Sequence, residues 1–200
     1  MPLRLNAEKD GKAVAAKYKV NGFPTILFVD GTGKVVHSIL GYMPPMDFAG
    51  QMELANMANN LPALQRQVQS HPDDKKTLSS LISIYASQKK EPEMLSSLAT
   101  FRVGMGPSPS TLSSKTLSSV GDYYQNNNKA KQAIPYFEEA AKYADDPHDL
   151  AYALISLAGC DLAVGDKKAA IPVLERFLAL GPAAKDYEAA AKSMLEAAKK

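Results

Sequence analysis

The spacing of apolar residues changes near position 58 of this chain. Before it, short stretches with a period of two are interleaved with stretches at helical spacing. From about Leu61 onward, every segment repeats its apolar residues at the helical interval. "PLRLN" (Pro2 to Asn6) alternates and predicts the end of a strand. "AEKDGKAVAAKYK" sets Val14, Ala15 and Tyr18 at helical spacing, with Gly11 as an early and costly interruption. "TILFV" (Thr25 to Val29) and "KVVHSIL" (Lys34 to Leu40) predict two strands, joined by the hairpin turn "DGTG" (Asp30 to Gly33). "PPMDFAGQMELANMA" opens on prolines, which a helix tolerates at its start, and continues with Phe48, Met52, Leu54 and Met57. The predicted order is strand, helix, strand, strand, helix.

Pro24 stands directly before the apolar run Thr25 to Val29. A proline cannot donate to a sheet ladder, so the first residue of a strand is where it fits. An X-Pro bond is also the peptide bond that takes the cis form at low cost. The run behind it is apolar on both faces, which predicts a strand buried on both sides.

The helical part is broken by short polar or Pro/Gly stretches such as "SHPDD", "QNNNK" and "VGDKK". It carries an internal repeat. Leu78, Leu81, Ile82 and Tyr85 correspond to Leu117, Val120, Gly121 and Tyr124, and more weakly to Ile155, Ala158, Gly159 and Leu162. Leu117 follows Leu78 by 39 residues and Ile155 follows Leu117 by 38. "AIPYFEEAAKYADDP" (Ala133 to Pro147) is echoed by "AIPVLERFLALGP" (Ala170 to Pro182). A repeat of this length predicts stacked helical hairpins, each burying a face that it cannot bury alone.

Composition changes this picture little. Hydrophobic content of 46% and charged content of 22% are ordinary for a globular chain. A net charge of +2 with both signs dispersed offers no basic stripe for nucleic acid and no polybasic segment for a membrane. The apolar runs are far shorter than the ~20 residues a membrane span needs. The N-terminus becomes charged within a few residues and has no apolar core of a secretory signal. Cysteine is decisive, because there is one, Cys160. One thiol makes no internal disulfide, no Cys-x-x-Cys pair and no zinc site.

Two family resemblances follow. The helical part resembles the tetratricopeptide repeat family, which sets a large residue, Leu-Gly and Tyr on a first helix, and Ala, an aromatic, Ala and Pro through a second. Leu117, Val120, Gly121, Tyr124, Ala133, Phe137, Ala140 and Pro147 follow that pattern. The third repeat follows it less closely. The first is degenerate in its second helix, where Met94 and Leu98 stand. The period exceeds the family's usual length of about 34 residues. The first part, from roughly Leu3 to Met57, resembles the C-terminal portion of the thioredoxin fold. There Phe23-Pro24-Thr25 matches the family's cis-proline loop, Leu27 to Val29 the strand that follows, and Gly41 the glycine closing the last strand. The expected organisation is therefore α/β plus all-α: a partial thioredoxin-like β-α-β-β-α over residues 1–58, then a tetratricopeptide-like α-solenoid over residues 59–200.

The thioredoxin resemblance implies a parent protein that exchanges thiols and disulfides, with Phe23, Pro24 and Thr25 as the substrate loop. The chemistry of that family rests on a Cys-x-x-Cys whose first thiolate attacks and whose second resolves. This chain has no such pair, so it is expected to act only by binding. The family's first strand, first helix and central strand have no counterpart here. The expectation is a truncated reading frame in which Met1 is an internal start, with a short form closed by a partner as the competing view. Loss of the central strand would leave an open edge beside Ile26 and Phe28, and an apolar edge invites pairing with a second copy of the chain. As printed the chain is expected in the cytoplasm, and a lost N-terminal segment would leave a periplasmic or secreted product open. A non-enzymatic adaptor is the alternative reading.

The repeat resemblance implies a groove for a protein or peptide. On the aligned repeats its candidate residues are Lys76, Ser79, Lys115, Ser118, Asp122, Ser156 and Cys160. They make a shallow, nearly neutral surface without the cations that a clamp for a terminal carboxylate requires. Small residues there fit tight helix packing as well as they fit a ligand. Cys160 is expected to be packed and inert. His37, His71 and His148 have no ligand spacing, so neither a metal nor a cofactor is expected. Asp73-Asp74 and Asp145-Asp146 stand where helices should begin, which predicts N-caps. "SPSTLSSK" predicts a loop leading into a capped helix.

Overall fold

The structure, a computed structural model, describes residues 3–43, 45–103, 105–108 and 110–200, with residues 45–47 described by backbone alone. The chain divides into two compact units, Met1–Ala63 and Leu64–Lys200.

The first unit runs α1 (Lys12–Lys17), β1 (Thr25–Val29), β2 (Val35–Leu40), α2 (Pro45–Asn59). The strand expected at Pro2 to Asn6 is not formed over the described residues 3–6, and Pro2 lies outside them. Asn6 instead starts a turn, its carbonyl accepting from Lys9 N at 3.0 Å and Gly11 N at 2.7 Å. The turn takes up the Asn6 carbonyl that a strand would have offered to a neighbour. Gly11 precedes α1 as its cap residue, so the helix begins after the glycine and avoids its propensity cost.

β1 and β2 form an antiparallel hairpin pairing Ile26 with Ile39 and Phe28 with His37, with a bulge after Phe28. Its turn is closed by Asp30, whose Oδ1 accepts from Thr32 N at 2.8 Å and Lys34 N at 3.0 Å. Gly33 occupies the left-handed region at φ +85°, a conformation that glycine adopts without strain. One face of the hairpin is covered by α2. The Phe28 and Phe48 rings lie 6.5 Å apart, and His37 Nε2 is 2.6 Å from Gln51 Oε1. Ile39 is buried on that face, while Leu40 on the other is 69% exposed. The expectation of burial on both sides therefore fails. Along β1 itself no residue is fully buried, and Ile26 and Val29 are exposed. The expectation that a helix starts at the prolines places Pro45 as the first residue of α2, while Pro44 lies outside the described residues.

The second unit follows α3 (Leu61–Ser70), which straddles the boundary. Three helical hairpins come next: α4 (Lys75–Ser87) with α5 (Glu91–Val103), α6 (Thr111–Asn126) with α7 (Ala130–Tyr143), and α8 (Pro147–Ala163) with α9 (Lys167–Leu178). A 3-10 helix (Gly181–Tyr187) and α10 (Glu188–Ala198) close it. The first helices contact one another in the order α4, α6, α8; α7 also packs on α8, and α10 on α9. The repeat in the sequence is the repeat of these hairpins. Its second helices bury equivalent trios, Met94, Leu98 and Phe101 on α5, Ala133, Phe137 and Ala140 on α7, and Ala170, Leu174 and Phe177 on α9. The degenerate first repeat thus fills the same three places with different volumes.

Caps set the hairpin starts. Asp74 Oδ1 accepts from Lys76 N and Thr77 N, both at 3.1 Å, and Asp146 Oδ1 accepts from His148 N at 2.8 Å and Asp149 N at 3.2 Å. Each such cap is worth about 1 kcal/mol. Ser110 caps α6. Asp145 accepts from the Thr111 hydroxyl, tying the start of α6 to the end of α7. The first hairpin is fastened to the second by Glu91, which accepts from Tyr123 Oη at 2.9 Å and Lys129 Nζ at 3.0 Å. The lysine first and the tyrosine second hold its carboxyl below the usual range.

Candidate functional site

The serines and threonines along α4, α6 and α8 do different work at the two seams. Between α4 and α6 they meet. Thr116 Oγ1 lies 2.7 Å from Ser79 Oγ, and Ser83 Oγ lies 3.1 Å from Ser119 Oγ. Ser79 is therefore a packing residue in this structure, its hydroxyl spent on the neighbouring helix. Between α6 and α8 the helices leave a pocket of about 210 Å³.

Its walls follow from helix geometry. Lys115, Ser118 and Asp122 stand at i, i+3 and i+7 on α6, one face of the helix, and Asp149 and Tyr152 stand at i and i+3 on α8. Tyr152 Oη donates to Asp122 Oδ1 at 2.7 Å across the seam. Asp149 Oδ1 is 3.8 Å from Lys115 Nζ, and the lysine side chain is 64% exposed. Burial pushes the Asp122 carboxyl up to about 6, opposed by the Tyr152 hydrogen bond. Burial also raises Asp149, with Lys115 opposing and Asp146 and Asp145 adding to the rise. Tyr152 is raised by burial and by the charge of Asp122.

Of the residues singled out by the repeat alignment, the pocket brings together Lys115, Ser118 and Asp122. Ser156 is half-buried one turn beyond Tyr152 on α8. Lys76 is exposed on the first turn of α4, outside the pocket. Cys160 is fully buried and lines a separate cavity of about 530 Å³ with Gln125, Asn128, Lys129, Lys131 and Gln132. Burial, and after it the charges of Asp161 and Asp122, push its thiol up to about 11. Sequence reasoning missed Asp149 and Tyr152. The signal was their i, i+3 spacing on the turns just after the Asp146 cap, opposite the polar stripe of α6.

In the first unit the Phe23–Pro24 peptide bond is cis. Thr25 Oγ1 donates to Gly22 O at 2.6 Å, and Pro24 O accepts from Gly41 N at 2.8 Å. Phe23, Leu40 and Tyr42 are exposed around this loop. Because Pro24 bonds to the β2 side, alternation directs the backbone groups of Thr25 and Leu27 toward the other edge of β1, which no strand pairs among the described residues.

Among the described residues, no group of three His, Cys, Asp or Glu is placed to hold a metal ion. No helix there is long and apolar enough to cross a membrane.

Residues 3–56 match the family model of a thioredoxin-like domain. No curated protein and no solved structure matches the chain. The chain therefore contains a thioredoxin-like domain at its start, followed by a region that is helical throughout its regular structure.

Proposed function

We propose that this chain is a protein-binding molecule, in which a tetratricopeptide-like array of three hairpins holds a segment of a partner along the α4–α6–α8 face. The observation that carries this reading is the α6–α8 pocket, where the polar side chains of Lys115, Ser118, Asp122, Asp149 and Tyr152 surround open volume. Hydroxyls that only pack would have closed that volume, as they do at Ser79 and Thr116. The family resemblance of the repeats points the same way. The thioredoxin-like part contributes by binding, because the chain's single thiol can neither form nor resolve a disulfide within it.

The open edge of β1 and the exposed Phe23, Leu40 and Tyr42 favour a second interaction, pairing of the thioredoxin-like part with another copy of the chain. Light scattering of the full chain tests it: a dimer supports it, and a monomer at all concentrations removes it.

The main reading is tested by screening the full chain against an array of random 12-residue peptides, then mapping a binder by hydrogen exchange. Protection in α6 and α8 is expected. A binder that protects only residues 1–63, or an array without binders, overturns it.

A further inference from the structure

We propose that the α6–α8 pocket takes the guanidinium of an arginine side chain presented by the partner segment; this rests on the protein-binding reading above. Three observations carry it.

The first is an unfilled hydrogen-bonding capacity inside the pocket. Ser118 is only 7% exposed and lines the pocket, yet its hydroxyl has no hydrogen-bond partner among the described residues. Asp149 Oδ2 is buried and likewise has none. Buried polar groups are almost always paired. Ser118 lines the pocket with a hydroxyl that no protein group occupies, which a ligand there can bond.

The second is the sign and number of the groups. Asp122 and Asp149 both face the pocket, and Asp145 and Asp146 stand next to Asp149 on the chain. Against them are Lys115 and His148. Lys115 meets Asp149 only at 3.8 Å, too long for a hydrogen bond. Two carboxylates at one site repel an anion and attract a cation. The acceptors come from separate walls: the Asp122 oxygen that Tyr152 leaves unused, Asp149 Oδ1, Ser118 Oγ and Tyr152 Oη. An ammonium has three donors, fewer than these four. A guanidinium has five in one plane, a fork suited to carboxylates on either side. The partly exposed ring of Tyr152 adds a face over which such a cation can lie.

The third is size. The site is a half-open cleft of about 210 Å³ between two helices. That holds a side-chain head and some water, and no folded element.

Lys115 then has a specific part. It is the internal cation that the guanidinium displaces from Asp149. Removing it should strengthen binding of arginine and weaken binding of any anion.

The experiment titrates Nα-acetyl-arginine N-methylamide into the isotope-labelled full chain and follows backbone amides by NMR, with the lysine analogue and inorganic phosphate in parallel. Saturable shifts at Ser118, Ser119, Asp122, Asp149 and Tyr152 are expected with the arginine compound. Asp122→Asn and Asp149→Asn should each weaken binding about tenfold, the loss of one charged hydrogen bond. Lys115→Ala, at an exposed site that leaves folding intact, should tighten it about threefold. The proposal is overturned by absence of shifts at these amides, by equal binding of the lysine analogue, by shifts with phosphate instead, or by weaker binding in Lys115→Ala. Array peptides that bind without arginine and ignore Asp122→Asn would sink this inference and leave the protein-binding reading standing. Arginine-amide binding with no peptide binder would do the reverse.

Discussion

Gly121 on α6 lies against the ring of Phe137 on α7, so close that a Cβ added to the glycine would come within 2.8 Å of ring Cε1 and Cζ. Phe137 is completely buried and cannot swing aside. Gly121→Ala sets a helix-propensity gain of about 1 kcal/mol against an overpacking cost of about 1–3 kcal/mol. With contacts this close the overpacking wins, and the substitution should destabilise the helical unit by up to about 2 kcal/mol in urea unfolding followed by circular dichroism. Phe137→Leu makes room, so the double variant should be more stable than the sum of the single losses. Strict additivity would show that the two residues do not meet.

Gly159 holds the equivalent place on α8 and answers differently. There an added Cβ meets only Gln125 Nε2, at 3.5 Å, an ordinary contact. The second helix offers Leu174 where α7 offers Phe137. Gly159→Ala should therefore keep the propensity gain and stabilise by about 0.5–1 kcal/mol. The opposite signs at two aligned glycines are the check, read in the same urea titration. Equal destabilisation at both would show that volume in the second helix does not decide the outcome.

These two glycines mark how far the sequence could be read. The period aligned Gly121 with Gly159 and located every hairpin, because apolar spacing and the capping aspartates Asp74 and Asp146 are local properties of the chain. Volumes across a hairpin are not local, so the first repeat looked degenerate although Met94, Leu98 and Phe101 fill its core. The β1 strand shows the same limit. Thr25 to Val29 has the composition of a strand covered on both faces, but coverage depends on which layers exist around it. The pocket was half legible. Lys115, Ser118 and Asp122 share one face of α6 by their spacing alone, while Asp149 and Tyr152 enter from the next hairpin. Whether two stripes of small residues touch, as at Ser79 and Thr116, or part, as at Ser118, depends on the separation of the helices.

Cys160 is completely buried and its thiol is pushed up to about 11. The thiolate is the reactive form, so at pH 8 the native chain should react with an aromatic disulfide reagent at least tenfold more slowly than the urea-unfolded chain. One equivalent should be released on unfolding, matching the single cysteine. Fast labelling of the native chain would mean that the neighbouring cavity admits the reagent to the sulfur.

Asp161 on α8 is 4% exposed, and burial, followed by the charges of Asp166 and Glu138, pushes its carboxyl up to about 6. An unfolded aspartate titrates near the ordinary value of 3.8. The folded state thus holds its proton more tightly. The resulting stabilisation is fully present below the unfolded value and is lost as pH rises through about 6. Asp122 contributes in the same direction and window. At neutral pH the charged Asp161 is therefore a burden. Asp161→Asn keeps the shape without the charge and should stabilise the chain by about 1–2 kcal/mol at pH 7, with the advantage shrinking toward pH 4. Taking the difference between variant and parent at each pH cancels the other carboxylates, including the oppositely shifted Glu91. Urea unfolding at pH 4.5 and pH 7 decides it. An advantage of the same size at both would assign the effect to packing, and a loss at pH 7 would mean that the charge at Asp161 is paired.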